Sequence, residues 1–304
     1  MSSIHQSSQM SSTPPATNPF QPSSSGHMAR RRVGNLVSII LTGLFTLFAV
    51  VFLLYLLLYV IRQGFPYLNL DFFMKLPTAN GAPGGGMAQS IQGTLILVGL
   101  ASLFGVPLGV FTGIYLSEFG RGAFAQGVRF LVGILTGVPT IIFGLFAWIL
   151  IVIPQQGFSG LAGGVALGII MIPIVASTSE EVLRLVPREL REASLALGAT
   201  EARTILRVVI PAAASGIITG IVLAMARVAG ETAPLLMTAF GTPFFNSDIT
   251  QPMDALPLRI FVFTESPYQV QINQAYAGSV VLILLIVLTS FAVRWATGGF
   301  KHRV

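Results

Sequence analysis

The sequence predicts an all-α membrane protein with six transmembrane helices and with both termini on the cytoplasmic side. Its 304 residues are 53% hydrophobic and only 9% charged, with a mean hydropathy of +0.80. A soluble domain has about 25% charged residues, whereas about 20 consecutive apolar residues suffice for a helix to cross a bilayer. Six stretches of the chain meet that requirement, at residues 36–61, 91–116, 130–153, 158–177, 210–229 and 276–296.

The distribution of lysine and arginine between the spans predicts the orientation. With the N-terminus in the cytoplasm, the inner segments contain 13 of these residues and Arg227 remains within a span. The outer segments contain only three, which are Arg62, Lys75 and Arg259. We therefore expect a multi-pass membrane protein, in contact with lipids.

The first 29 residues differ in composition from the rest of the chain. They are rich in Ser, Pro, Gln and Thr, and such a segment buries too little apolar surface to offset the entropy of ordering. We predict a disordered cytoplasmic tail at 1–29 and a transmembrane domain at 30–304. The tail is not a signal peptide, since the basic cluster Arg30–Arg32 follows it and the next apolar run is too long.

Composition also excludes several classes of function. The net charge of +6 does not indicate nucleic-acid binding, because the basic residues are scattered over the loops and form no stripe. Cysteine is absent, which removes disulfides and thiolate metal sites. The only histidines, His5, His27 and His302, lie in the terminal tails. We therefore predict no catalytic residues and no metal site.

A charged segment interrupts the apolar pattern at residues 177–211, which contain ten of the chain's 28 charged residues. Pro187 suits the first turn of a helix, Gly198 can adopt the left-handed conformation that ends one, and Thr200 is a good N-cap for the next. The prediction is two short helices joined by a sharp turn. An amphipathic connector lying on the bilayer surface is the alternative.

The spacing within this segment resembles the EAA loop of ATP-binding-cassette (ABC) importer permeases. That pattern is Glu-Ala-Ala, three residues, Gly, nine residues and Ile-x-Leu-Pro, and it is matched here at Glu192, Ala193, Gly198 and Pro211. Ser194, Val208 and Ile210 depart from it conservatively. The resemblance implies a cytoplasmic coupling loop, at about 178–211, that docks on an ATPase subunit.

The ATPase must be another polypeptide. The run Gly84–Gly86 is followed by Met87 and lacks the lysine of a phosphate-binding loop. The chain is therefore predicted to be a transport subunit and not an enzyme, without a cofactor of its own, while ATP and Mg are bound by the partner ATPase.

Arg227 and Glu231 lie four residues apart, so they share one face of a helix. A charge at membrane depth costs about 2.5–3.5 kcal/mol on an insertion scale and usually marks a pathway or a buried pair. Arg227 lies about 24 Å beyond Pro211 at 1.5 Å per residue. One interpretation is a structural pair or an arginine that reaches the outer headgroups. The other is that Arg227 attracts an anionic substrate while Glu231 partly neutralises it.

Four segments resemble the PstA-type permeases of phosphate importers: residues 226–236, 86–94, 137–145 and 256–261. The resemblance implies a protein of the bacterial plasma (inner) membrane, with a MetI-like fold and a core at about 88–297. It also implies a substrate path that includes Arg227, Glu231 and Thr232. It also implies three kinds of partner. These are a PstC-like permease, a PstB-like ATPase dimer, and a periplasmic or lipid-anchored phosphate-binding protein.

Three alternatives stay open on the residues alone. A permease for tungstate, molybdate or a phosphonate would share the coupling loop. An ion-coupled secondary transporter would need acidic residues within the membrane, and Glu231 is the only candidate near a span interior. A membrane enzyme is disfavoured because histidine, cysteine and clustered acids are missing from the spans.

Overall fold

The computed structural model describes residues 25–79 and 81–296, in two compact units that meet between Leu57 and Leu58. In the first unit the described residues all belong to helix α1, Ser25–Gly64, which continues into the second unit. Residues 1–24 of the predicted tail lie outside the described residues. Residues 25–29 are described, and they form the start of α1.

The second unit contains every other described element. After a short 3-10 helix, Phe65–Tyr67, the α-helices are α2 (Leu70–Met74), α3 (Ala88–Ile114), α4 (Ala123–Gly137), α5 (Thr140–Ala147), α6 (Ile153–Gln155), α7 (Gly160–Arg184), α8 (Arg188–Ala196), α9 (Glu201–Thr204), α10 (Ile210–Ala229), α11 (Ala233–Thr238), α12 (Leu256–Thr264) and α13 (Gln269–Ala296). Single π-helical turns follow α3, α5 and α9, at Tyr115–Phe119, Trp148–Val152 and Ile205–Val209. The described residues form no β-strand, which confirms the all-α class.

Five stretches of the described chain are long and apolar enough to cross a membrane as single helices, and they correspond to five of the six predicted spans. They are Arg30–Tyr67, Ala88–Phe119, Gly160–Arg184, Glu201–Ala229 and Gln269–Val293. The fourth predicted span continues as α7 to Arg184 instead of ending near residue 177. The fifth span ends with α10 at Ala229. A separate helix, α11, begins at Ala233 with Pro234 in its first turn, so α10 does not continue through Pro234.

The third predicted span, 130–153, is not one helix. It consists of Ala123–Gly137 and Thr140–Gln155, which meet at an angle of 102°. Val138 and Pro139 are extended at the break, because proline disfavours helical geometry in the preceding residue and cannot donate a backbone hydrogen bond.

The bent pair nevertheless crosses the whole bundle. Near its start, Arg129 contacts Glu180 in the last turns of α7 at 2.7 Å. At its end, Gln155 accepts a hydrogen bond of 3.2 Å from Ser159, which caps the start of α7. Its two ends therefore lie at opposite ends of a helix of about 37 Å, so the pair is a sixth, broken span.

Helices α3 and α7 pack closely along a row of glycines. A Cβ atom on Gly109 would lie 2.6 Å from Cβ of Val175, and one on Gly113 would lie 2.5 Å from Cβ of Ser179. Small residues at this spacing let the backbones of α3 and α7 approach closely. The glycines at 133 and 137 have open space instead, so the same spacing in α4 does not mark a contact.

Candidate functional site

The predicted pair of short helices in the charged segment is confirmed. Pro187 precedes α8, and Gly198 ends it with a φ of +84°, in the left-handed region that favours glycine. Thr200 then caps α9 by accepting a hydrogen bond of 3.4 Å from the backbone N–H of Arg203. We call this unit, residues 188–204, the loop hairpin, and the end of the bundle that carries it the hairpin end.

The tip of the loop hairpin is uncovered. Glu192, Ala193 and Gly198 are all exposed, and Leu197 is 90% exposed. An apolar side chain held this far out of the fold gains nothing from burial within the subunit. Three of the four predicted docking residues therefore lie together on an accessible surface.

Pro211 belongs to a different element. It stands in the first turn of α10, after the π-helical turn Ile205–Val209. A proline cannot supply the N–H that a continuous α-helix needs here, and a π-turn is a common way to accommodate that loss. Pro211 thus shapes the entry of the span, and it does not form part of the hairpin tip.

Arg191 attaches the loop hairpin to the spans, and a second contact lies within the hairpin; neither was predicted from the sequence. Arg191 of α8 donates to Glu118 at 2.8 Å and to the carbonyl of Leu183 at 2.9 Å. Ser194, the departure from the second alanine of the pattern, shares a hydrogen bond of 2.9 Å with Thr204. The first contact joins α8 to the end of α3, and the second closes the hairpin on itself.

A second ion cluster holds three spans together at the hairpin end. Glu180 of α7 accepts from Arg129 at 2.7 Å and contacts Arg184 at 2.6 Å. Arg129 also donates to the carbonyl of Leu116 at 2.6 Å. The charges that predicted the orientation thus also connect α3, α4 and α7.

Arg227 lies close to the end of α10, and its side chain is 55% exposed. Its Nε atom is 4.0 Å from Oε1 of Glu231, which is only 16% exposed. Because α10 ends at Ala229, Glu231 sits in the following turn and does not share a regular helical face with Arg227, as the sequence analysis assumed. The contact is at the limit for an ion pair and leaves most guanidinium donors free.

Arg227 borders a recess at the break in the third span. The recess is lined by side chains on both sides of the break and by the middle of α7, which are Leu135, Thr136, Val138, Thr140, Phe143, Ile170 and Ile174. Since Ile170 and Ile174 lie about halfway along α7, Arg227 stands near mid-depth in the bundle.

Thr232, the third residue predicted for the substrate path, faces elsewhere. It lines a separate recess with Gly230, Pro257, Phe261 and Ser279. The structure therefore brings Arg227 and Glu231 together and separates Thr232 from the recess at the break.

A buried polar cluster at the opposite end of the bundle was missed by the sequence analysis. Oδ2 of Asp254 accepts hydrogen bonds from Ser90 at 2.6 Å, Gln89 at 3.1 Å and Arg259 at 2.8 Å. The Asp254 side chain is 1% exposed and that of Arg259 is 13% exposed. We call these four residues the Asp254 cluster. The available signal was two opposite charges, Asp254 and Arg259, five positions apart in an outer segment.

The Asp254 cluster fixes the connection between α11 and α12 onto the start of α3. The backbone N–H of Leu256 donates to Thr94 Oγ1 at 2.8 Å, and a Cβ on Gly93 would collide with the Asp254 carbonyl oxygen. The same connection reaches α7, where the N–H of Leu161 donates to the carbonyl of Ile249 at 2.7 Å.

The fold resembles solved ABC importer permeases. A chain of a bacterial alginate ABC transporter matches with a TM-score of 0.61 at 14% identity, covering 87% of this chain and 94% of that one. A chain of the MetNI methionine transporter in an inward-facing conformation matches with a TM-score of 0.59 at 20% identity, covering 69% and 94%. At these identities the likeness concerns the fold, and it confirms the MetI-like architecture.

Sequence relatives are closer. The phosphate transport system permease protein PstA of Yersinia pestis is 39% identical over 275 residues, which cover 90% of this chain and 93% of that protein. A probable PstA of Methanocaldococcus jannaschii is 35% identical over 272 residues, covering 89% and 96%. The relatives are permease proteins, in agreement with the prediction of a transport subunit that is not an enzyme.

Residues 105–304 match the family described as the inner membrane component of binding-protein-dependent transport systems. Together with the spans, this match confirms a multi-pass protein of the inner membrane. The chain belongs to that family and, within it, to the PstA-type permeases.

Proposed function

We propose that this chain is one of two permease subunits of an ATP-driven phosphate importer. The observation that carries the proposal is Arg227, a half-exposed arginine near mid-depth in an apolar bundle. The names of the relatives, which are phosphate transport permeases, support phosphate as the anion.

The exposure of Arg227 argues for a path and against a purely structural role. A charge near the bilayer centre faces protein or water and not lipid, because contact with lipid costs several kcal/mol. The exposed side of the recess must then be covered by another subunit or open to a water-filled path. A PstC-like permease that packs against this face would provide both.

The chemistry of the arginine suits a tetrahedral oxyanion. Its planar fork can donate two parallel hydrogen bonds to a phosphate. Glu231, at 4.0 Å, lowers the positive potential without occupying the fork. A partly neutralised arginine both attracts the anion and releases it, and transport requires both steps.

The loop hairpin is the proposed link to the energy source. Its exposed tip, with Glu192, Ala193 and Gly198 next to Leu197, offers an apolar ridge with a charged margin to a groove of a PstB-like ATPase. In that arrangement the hairpin is cytoplasmic, and two copies of the ATPase bind ATP and Mg. A periplasmic or lipid-anchored phosphate-binding protein delivers the anion at the opposite end of the bundle.

The experiment that tests the proposal is uptake of labelled phosphate by the complete complex, reconstituted in vesicles with ATP supplied on the side of the ATPase. Excess unlabelled phosphate should abolish the uptake, and equal excesses of molybdate and tungstate should leave most of it. Preferential loss with molybdate or tungstate would assign the complex to another oxyanion. Uptake without ATP, driven by an ion gradient, would overturn the ATP-driven mechanism.

A further inference from the structure

The recess at the break in the third span contains a polar group that the proposed function does not yet use. Thr140 lines it together with Arg227, and Thr140 is the first residue of α5. Its position in the helix determines what its hydroxyl can bond.

Threonines inside other helices satisfy their hydroxyls locally. Thr178 donates to the carbonyl of Ile174 at 2.9 Å, and Thr219 donates to that of Ser215 at 2.8 Å. Thr136, on the other side of the break, donates to Val132 at 2.9 Å. In each case the acceptor is the carbonyl four residues earlier, which an uninterrupted helix places within reach.

Thr140 has no such acceptor. The residue four positions earlier is Thr136, which lies on the other side of the 102° bend. Within the described chain no hydrogen bond is formed by the Thr140 hydroxyl. The Thr140 hydroxyl is only partly buried, so it is an unused donor that a partner from outside the chain can reach.

The neighbouring charge identifies the chemistry of that partner. Arg227, most of whose donors are free, lines the same recess as Thr140. The hydroxyl of Thr136 already donates within its own helix. A cationic fork and a neutral O–H donor select an anion with several acceptor oxygens.

We propose that Thr140 is a substrate-contacting residue, whose hydroxyl donates a hydrogen bond to the oxyanion that Arg227 holds when the narrow recess at the break in the third span is open. This inference rests on the proposed function, and it adds a contact that neither the relatives nor the sequence analysis assigns. The break in the helix then has a use, because it removes the carbonyl that would otherwise accept a hydrogen bond from the Thr140 hydroxyl.

The test compares three variants in the reconstituted complex. Thr140→Val removes the hydroxyl at nearly constant shape, and it should lower the rate of phosphate uptake roughly tenfold or more, as expected for loss of a hydrogen bond to a charged group. Thr140→Ser keeps the hydroxyl and should retain most of the rate. Thr219→Val removes a hydroxyl that is already bonded within its helix and lies outside the recess, and it should have little effect.

A second measurement covers the case in which Thr140→Val fails to assemble. The chain has no cysteine, so Thr140→Cys introduces a single thiol that can be followed on this subunit by mass spectrometry after treatment with a charged methanethiosulfonate. The thiol should react in the assembled complex, and phosphate should slow the reaction while sulfate at equal concentration should not.

The outcomes separate the two proposals. Normal uptake by Thr140→Val, or a thiol at 140 that is inaccessible or unprotected by phosphate, would overturn the contact while phosphate import by the unaltered complex still stands. Absence of phosphate import by the unaltered complex would instead overturn the proposed function.

Discussion

Replacement of Asp254 by Asn should destabilise the protein far more than the same change at Asp71. Both aspartates form ion pairs of nearly equal length, 2.8 Å to Arg259 and 2.7 Å to Lys75. The difference is burial: the Asp254 pair is 1% and 13% exposed, whereas the Asp71 pair is 52% and 60% exposed. The comparison therefore isolates the effect of the surroundings from that of geometry.

The structure sets the expected magnitudes. Removal of one partner from a buried ion pair costs about 3–5 kcal/mol, because the other charge stays buried without compensation. The asparagine side chain would keep one acceptor oxygen for Ser90, so we expect the lower end, about 3 kcal/mol. At about 2–4 °C per kcal/mol for a domain of this size, the midpoint of unfolding should fall by about 6–12 °C. The exposed pair is worth about 0.3–0.5 kcal/mol and should change the midpoint by less than about 2 °C.

The assay is thermal unfolding of the purified complex in one detergent and at one scan rate, followed by loss of a monodisperse peak in size-exclusion chromatography. If Asp254→Asn and Asp71→Asn unfolded within about 2 °C of each other, the cluster would not hold the connection between α11 and α12 onto α3. The reasoning from burial would then be wrong.

Three further predictions concern coupling, the substrate path and the tail. Gly198→Val should leave ATP hydrolysis intact but stop uptake, because a β-branched residue cannot adopt a φ of +84° without strain. Gly198→Asn is the control, since asparagine tolerates that region. Normal uptake by the valine variant would contradict the prediction. Arg227→Gln should reduce phosphate uptake severalfold with the complex intact on gel filtration, and unaltered uptake would make the arginine structural. Deletion of the residues before Arg30 should leave transport unchanged, since their composition predicts no packed contact, and a measured loss of uptake would reveal a role for the tail.

The parts of the site that the sequence predicts well are those governed by neighbouring residues. Pro187, Gly198 and Thr200 each obey a rule that involves a few positions of chain, and the structure confirms the helix start, the left-handed end and the cap. The signal for the break in the third span was also local, since it consists of the neighbouring residues Val138 and Pro139. A continuous helix was predicted there because hydropathy measures how apolar a segment is and does not show where its helix bends.

The Asp254 cluster could not be predicted in the same way. Its hydrogen bond from Gln89 joins residues 165 positions apart, and no periodicity relates them. The contact of Arg191 with Glu118 spans 73 positions, and in the sequence both residues read as ordinary charges of a solvated loop. Pairings of this kind depend on which spans are neighbours, and hydropathy does not determine that.

The attachments of the loop hairpin determine how a movement of α8 would reach the recess. Arg191 connects α8 to Glu118 at the end of α3, and α3 packs on α7 through Gly109 and Gly113 with no room for a Cβ atom. Closely packed helices transmit displacement as one body because their interiors are barely compressible. A shift imposed on the hairpin would therefore reach α3 and α7 together, and Arg129 would pass it to the start of the bent third span through Glu180 and the Leu116 carbonyl. Under the proposed function, we expect docking at the hairpin end to alter access to the substrate path at this recess, because both sides of the break and the middle of α7 line it.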